Sequence, residues 1–158
     1  NYGSRITPCR CTAQQIQRYR NRISGPMLDR IDIHVEMGEV GYNDIAGRSC
    51  GEPSSAIRAR VNAARAIQTR RYADMGILFN AQLTNRMMNQ YCVLTSDAES
   101  LMKKAFAALK LSARAYTRLL KVSRTIADLA GSEQIKAEHI AEAIQYRSLE
   151  SKYWGEIK

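Results

Sequence analysis

Arg30 is the residue whose type and setting best suit chemistry. It lies in Ile23-Ser24-Gly25-Pro26-Met27-Leu28-Asp29-Arg30-Ile31-Asp32-Ile33, just after a rigid Gly-Pro turn and at the mouth of an alternating run. A guanidinium held there can grip a phosphate through two parallel hydrogen bonds, a geometry that lysine does not match. The same segment offers Asp29 and Asp32 as simple ion-pair partners, and spacing alone does not decide between the two uses. Cys9-Arg10-Cys11 is a second candidate. Two thiolates this close can share a zinc ion, but a tetrahedral site needs two more ligands. Cys50 and Cys92 lack pair spacing, so unpaired thiols are the simpler reading of the chain taken alone. His34 and His139 have no ligand-spaced partner beside them and read as ordinary, partly exposed histidines.

Other chemistries are excluded by what is missing. The sequence has no G-x-x-x-x-G-K-[ST] loop, no G-x-G-x-x-G, no G-x-S-x-G and no H-E-x-x-H, so it carries no motif of a self-contained nucleotide-binding or hydrolytic site. Its cations are grouped instead. All twelve basic residues before Asn80 are Arg, and residues 1–28 hold five Arg with no acid. A second acid-free stretch, Ser100–Ala127, carries Lys103, Lys104, Lys110, Arg114, Arg118, Lys121 and Arg124. Such clusters suit phosphate groups of a nucleotide or of nucleic acid, and suit equally well a solvated helix face.

These residues must be positioned by a chain of 158 residues with 24 Lys and Arg, 15 Asp and Glu, and a net charge of +9. At 45% hydrophobic and 25% charged, it has the composition of a folded domain and length enough for a core. No apolar run approaches the ~20 residues of a membrane span. The polar start at Asn1–Arg10 does not resemble a signal peptide, and with four Cys a reducing cytoplasm is expected. The chain does not begin with Met, which suggests a fragment or a processed product.

Thr12 predicts an N-cap for a helix over Ala13–Ile23, which carries Arg18, Arg20 and Arg22 and is stopped by Ser24-Gly25-Pro26. Ile31-Asp32-Ile33-His34-Val35-Glu36-Met37 alternates strictly and predicts a strand with one buried face. Residues 38–53, with four Gly and one Pro, predict a loop or linker. The period then becomes helical. Helices are expected from Ser54 or Ser55 to about Asp74, from Thr84 to about Tyr91, over Leu101–Leu109 behind a Ser96/Glu99 capping box, from Ser112 to Gly131, and over Lys136–Arg147. Ala115, Leu119, Val122, Ile126 and Leu129 would form the buried stripe of the fourth, with Ile140 and Ile144 inward on the last. The fold class is thus mainly α: one helix and one strand left from an α/β core, then a helical bundle. A lone strand needs a sheet, so the chain reads as truncated.

The stretch C-R-C-T-A-Q-Q-I-Q-R-Y-R-N-R-I-S-G-P-M-L-D-R-I-D-I-H-V-E resembles the C-terminal part of the AAA+ module in the magnesium-chelatase-like (ComM/YifB) family. The similarity continues through G-E-P-S-S-A-I-R-A-R-V-N-A-A-R, F-N-A-Q-L and L-S-A-R-A-Y-T-R-L-L-K-V-S-R-T-I-A-D-L-A, and covers residues 1 to about 147. The resemblance implies the end of an AAA+ core over 1–37, a linker over 38–53, a helical lid over 54–150 and a tail over 151–158. It matches Arg30 to the arginine finger, which acts in trans on a neighbour's ATP, and Arg114 to sensor 2. A finger contributes ~10³–10⁵ in rate by neutralising charge on the γ-phosphate. Arg18, Arg118 and Lys121 are further candidates for phosphate or DNA contacts, with solvation or a subunit interface as the plainer use of the latter two.

The same resemblance implies ATP and Mg²⁺ as cofactors of the intact protein, identical subunits in a ring (a hexamer), and DNA as a partner in branch migration during natural transformation. It places Walker A, Walker B, sensor 1 and an N-terminal Lon-protease-like domain outside this chain, which by itself is expected to be inactive. The family's C-P-C-G stretch before the C-x-C pair would make Cys9 and Cys11 half of a four-Cys zinc site. Two alternatives remain: a motor subunit that loads metal into a tetrapyrrole, and a stand-alone basic helical module that binds nucleic acid.

Overall fold

The computed structural model describes residues 2–4, 7–47 and 51–147. Cys50, the last three residues of the expected lid and the expected tail at 151–158 lie outside them. Among the described residues the fold is mainly α, with eight α-helices and one 3₁₀ turn. In order these are α1 (Ala13–Arg20), α2 (Gly25–Leu28), α3 (Tyr42–Ala46), α4 (Ser54–Arg71), the 3₁₀ turn (Asn80–Gln82), α5 (Asn85–Tyr91), α6 (Ser96–Ala108), α7 (Ala113–Leu129) and α8 (Ala137–Gln145). None is long and apolar enough to cross a membrane.

Local chemistry sets the ends. Thr12 caps α1 in a reciprocal box with Gln15, and Ser112 Oγ accepts from Ala115 N (3.1 Å) at the start of α7. Helix α6 begins earlier than its spacing predicts, because Thr95 is the cap and accepts from Ala98 N (3.3 Å), which makes Ser96 the first helical residue. Gly131, at φ 66°, ends α7. Ser132 N donates to Ala127 O (2.8 Å) and Gly131 N to Asp128 O (3.1 Å), the paired bonds of a Schellman motif, for which glycine is suited. Gly25-Pro26 does stop α1, which closes at Arg20, but it also opens α2. Proline in a first turn gives up an N–H that has no partner there anyway.

The alternating run 31–37 is not a strand in the structure. Among the described residues no partner strand lies beside it, and Ile33, Val35 and Met37 are exposed. Its period is that of a strand, but a strand requires a neighbour to take its hydrogen bonds. What holds it is the helical part: His34 N donates to Tyr146 O (2.8 Å). The only β-pairing among the described residues is an isolated parallel bridge between Leu94 and Ile135.

The core sits in α4–α8. Met88, Ala98, Met102, Leu119, Leu120, Ala127, Ile135, Ile140 and Ala143 are buried together with Tyr72 and Leu83. Each large aliphatic side chain removed from water there contributes ~1.5–3 kcal/mol. Helix α7 is the central element, packed on α4, α5, α8 and the 3₁₀ turn. Its buried face differs from the expected stripe. Ala115 and Leu119 are inside, Val122 and Ile126 are half-buried, and Leu129 is exposed, while Leu120, Ser123, Arg124, Ala127 and Asp128 are buried.

Polar side chains enter this core because they satisfy one another. Asp128 accepts from Arg71 (2.5 and 3.0 Å), Arg124 Nε (3.2 Å) and Asn80 Nδ2 (2.8 Å). Asn80 Oδ1 takes the Tyr72 hydroxyl (2.7 Å), and Asn80 N donates to Gln68 Oε1 (3.2 Å). Arg124 spends its remaining donors on the carbonyls of Ser132 (2.5 Å) and Glu133 (2.7 Å), just past the end of α7. Arg124 is therefore a buried structural cation, not part of a phosphate-facing cluster. Burial pulls its basicity down against the pull of Asp128, and burial also pushes the Cys92 thiol up to about 11.

Candidate functional site

The start of α7 carries the cations that remain accessible. Arg114, Arg118 and Lys121 are spaced i, i+4 and i+7, which sets them on one helix face. That face lines a cleft of about 530 Å³, closed on its other sides by Asp32, Ile33, Ala81, Glu142 and Tyr146. The cleft thus lies between α7, the segment after α2 and the end of α8. Three cations face two carboxylates in it, a balance that favours an anion.

The three cations differ in freedom. Arg114 is exposed, and its guanidinium has no hydrogen-bond or ion-pair partner among the described residues. Arg118 is paired with Asp32. Lys121 Nζ donates to Ala81 O (2.9 Å) and so helps to hold the 3₁₀ turn against α7. Arg114 is the side chain the site leaves available, and Arg118 is one exchange of partners away.

Arg30 is elsewhere. It does not line the cleft; it is exposed, and its guanidinium has no partner among the described residues. Both acids that could have neutralised it are engaged with other groups. Asp29 accepts from Ser112 Oγ (2.9 Å) and from Arg147 (3.5 Å), and Asp32 takes Arg118. Arg147, buried at 4% exposure, also donates to Ile31 O (3.3 Å). The simple ion-pair reading of Arg30 is therefore not the one the structure adopts.

The remaining candidates stay apart from the cleft. Arg18 lies with Gln14, Gln17, Asn21 and Arg22 along a shallow depression on α1. Cys9 and Cys11 are close enough to interact: the Cys11 backbone N–H holds the Cys9 thiol below its usual value, while Cys9 raises that of Cys11. Among the described residues no group of three or more His, Cys, Asp or Glu is placed to hold a metal ion. Two thiols are half of a tetrahedral set, so the donors present do not fit a zinc ion. His34 is half-buried, as its setting suggests, but His139 is buried at 3% exposure. Its Nδ1 accepts from Lys136 N (3.0 Å), and burial lowers its basicity. Glu142 and Tyr146 of the cleft have no signal in the sequence, since only folding brings α8 to α7.

Residues 51–147 match the family of the magnesium chelatase subunit ChlI C-terminal region, and residues 1–45 match the family of magnesium chelatase subunit ChlI. The chain belongs to the magnesium-chelatase-like AAA+ family. Its relatives include the uncharacterized protein YifB of Salmonella typhimurium, 41% identical over 142 residues, and the competence protein ComM of Haemophilus influenzae, 41% identical over 141 residues. YifB of Escherichia coli is 39% identical over 143 residues. Each alignment covers 89% of this chain and 27% of the relative. The resemblance to the ComM/YifB branch thus holds over most of the chain, which spans about a quarter of the length of these relatives.

Proposed function

We propose that this chain supplies two phosphate-facing arginines to a ring-shaped, ATP-driven motor that acts on DNA in the cytoplasm. Arg114 senses the nucleotide of its own subunit, and Arg30 reaches the ATP of the next one as an arginine finger. Residues 1–37 then close an AAA+ core, 38–53 are a linker, 54–150 form the lid and 151–158 a tail. The observation that carries this reading is that Arg30 stands exposed and unpaired while the acids on both sides of it are held by other groups. A cation left unneutralised beside two carboxylates is placed for an anion that comes from outside the chain.

ATP and Mg²⁺ belong to the intact protein in this reading, which accords with the chelatase family match. When bound, Mg²⁺ would neutralise the β- and γ-phosphates. Nothing in the cleft is a carboxylate cluster fit to hold the ion. What this chain provides is positive charge: Arg114 at the cleft mouth, with Arg118 and Lys121 behind it. Transfer of a phosphoryl group depends on positioning and charge neutralisation, so two well-placed guanidiniums suffice for the chain's share.

DNA as the substrate is supported by the similarity to a protein named for competence and by the net charge of +9. The family description favours a second reading, a motor subunit of a metal chelatase. Steady-state ATP turnover by the intact protein, with and without branched DNA, separates them. Stimulation by DNA is expected. Turnover indifferent to DNA would transfer the weight to the chelatase reading, and salt-sensitive DNA binding without any turnover would favour a plain basic binding module.

A further inference from the structure

The contacts around Arg30 run to the same helix that carries Arg114. Ser112 is the N-cap of α7, and its hydroxyl has two tasks: it accepts from Ala115 N (3.1 Å) and donates to Asp29 (2.9 Å). Asp29 directly precedes Arg30. One turn further along α7, Arg118 holds Asp32, two residues after Arg30. Arg147, next to the end of α8, grips Asp29 (3.5 Å) and the Ile31 carbonyl (3.3 Å) between them. Arg30 therefore has no anchor of its own side chain, and its place is set by neighbours on both sides that are fastened to the lid.

Helix α7 is stiff enough to transmit a displacement. Its N-terminus is capped by Ser112, its C-terminus closes on Gly131, and its last turns are locked by the Arg71–Asp128–Arg124 cluster. Arg114 lies in its first turn, two residues from Ser112 and four from Arg118. A shift of Arg114 moves both fastenings.

We propose that the Ser112–Asp29 and Arg118–Asp32 contacts couple the two arginines, so that nucleotide sensed at Arg114 in one subunit sets the position of Arg30 against the nucleotide of the next. Asp29, Asp32, Ser112 and Arg118 are positioning residues in this scheme. It rests on the roles proposed above for Arg30 and Arg114. Coupling of this kind needs a physical element that both sites bias, and α7 with its two fastenings is that element. Each fastening is partly exposed and weak alone, so both must be removed to test it.

The test uses the intact protein with Asp29→Asn and Asp32→Asn combined. Affinity for a fluorescent ATP analogue should stay within about twofold, as expected where ground-state binding is untouched. Turnover should fall about tenfold, and the response to ATP should lose its sigmoidal form, with a Hill coefficient near about 1. A second variant keeps the link but reverses it: Asp32→Arg with Arg118→Asp should recover turnover lost in Arg118→Asp alone. If the reversed pair stays as slow as Arg118→Asp, Arg118 serves phosphate directly and the coupling through it is wrong. If the double Asn variant turns over like the parent while Arg30→Ala does not, the coupling fails and the finger stands. If Arg30→Ala turns over like the parent, both fail together.

Discussion

Arg124 and Asp128 lie one helical turn apart on α7 and form a 3.0 Å ion pair whose side chains are 1% and 0% exposed. The pair is not isolated. Arg71 from α4 reaches the same carboxylate at 2.5 Å, and Asn80 joins from the 3₁₀ turn. One buried carboxylate thus ties three elements together, and it balances two guanidiniums that would otherwise sit in a low-dielectric interior. Asp128→Ala should lower unfolding stability by ~3–5 kcal/mol, the usual cost of leaving a buried charge without its partner. The measurement is the shift of the denaturant midpoint. A loss below ~1 kcal/mol would mean that water reaches the cluster and the pair behaves as a surface one.

Arg114 makes a different kind of prediction because it stabilises nothing in the fold. Arg114→Ala should leave thermal unfolding unchanged while weakening nucleotide binding by the intact protein about tenfold, equivalent to one charge-assisted hydrogen bond of ~1.5 kcal/mol. Arg114→Lys should fall between the two, since it keeps the charge and loses the planar fork. Binding of a fluorescent ATP analogue reads both. Equal affinity in all three proteins would remove Arg114 from the site.

His139 gives the chain a pH dependence of known sign. Burial holds its pKa below the ordinary 6.5, so as pH falls below 6.5 the unfolded chain takes up a proton that the folded chain refuses. Stability is full above that value and declines through the window between the unfolded and the lower folded pKa. His139→Gln, which can still offer an acceptor to Lys136 N, should flatten the decline on the acid side. Denaturant midpoints at a series of pH values between about 7 and 5 check it; an unaltered slope in the variant would assign the acid loss to other groups.

Much of the helical part is legible in the sequence because its signals are local. Thr12, Thr84 and Ser112 cap the helices they precede, and Gly131 ends α7. The strand over 31–37 is not legible in the same way: its alternation states which face would be buried, but pairing is a property of a neighbour. Helices α2 and α3 are short and lie where Gly and Pro suggested loops. The stripe of α7 is misread by hydrophobicity alone, since Arg124 and Asp128 look solvated until Arg71, 57 residues from Asp128, is folded against them. An i, i+4 Arg–Asp pair inside an otherwise apolar stripe is the signal that could have marked them. At the site, Arg30 and Arg114 stand out by motif, whereas the engagement of Asp29 by Ser112, 83 residues away, is visible only in three dimensions.

The account's central claim is that Arg30 completes the ATP site of a neighbouring subunit, and a mixing experiment on the intact protein tests it most directly. Arg30→Ala should bind ATP as the parent does and lose about 10³-fold or more in turnover, the range of an arginine finger. A variant of the phosphate-loop lysine, which lies outside this chain, should be inactive for the opposite reason. Mixed in one ring, the two inactive proteins should regain measurable turnover, because some intact ATP sites then face an intact Arg30. Turnover by Arg30→Ala within a few-fold of the parent, or mixed rings that stay silent although they assemble, would contradict the assignment.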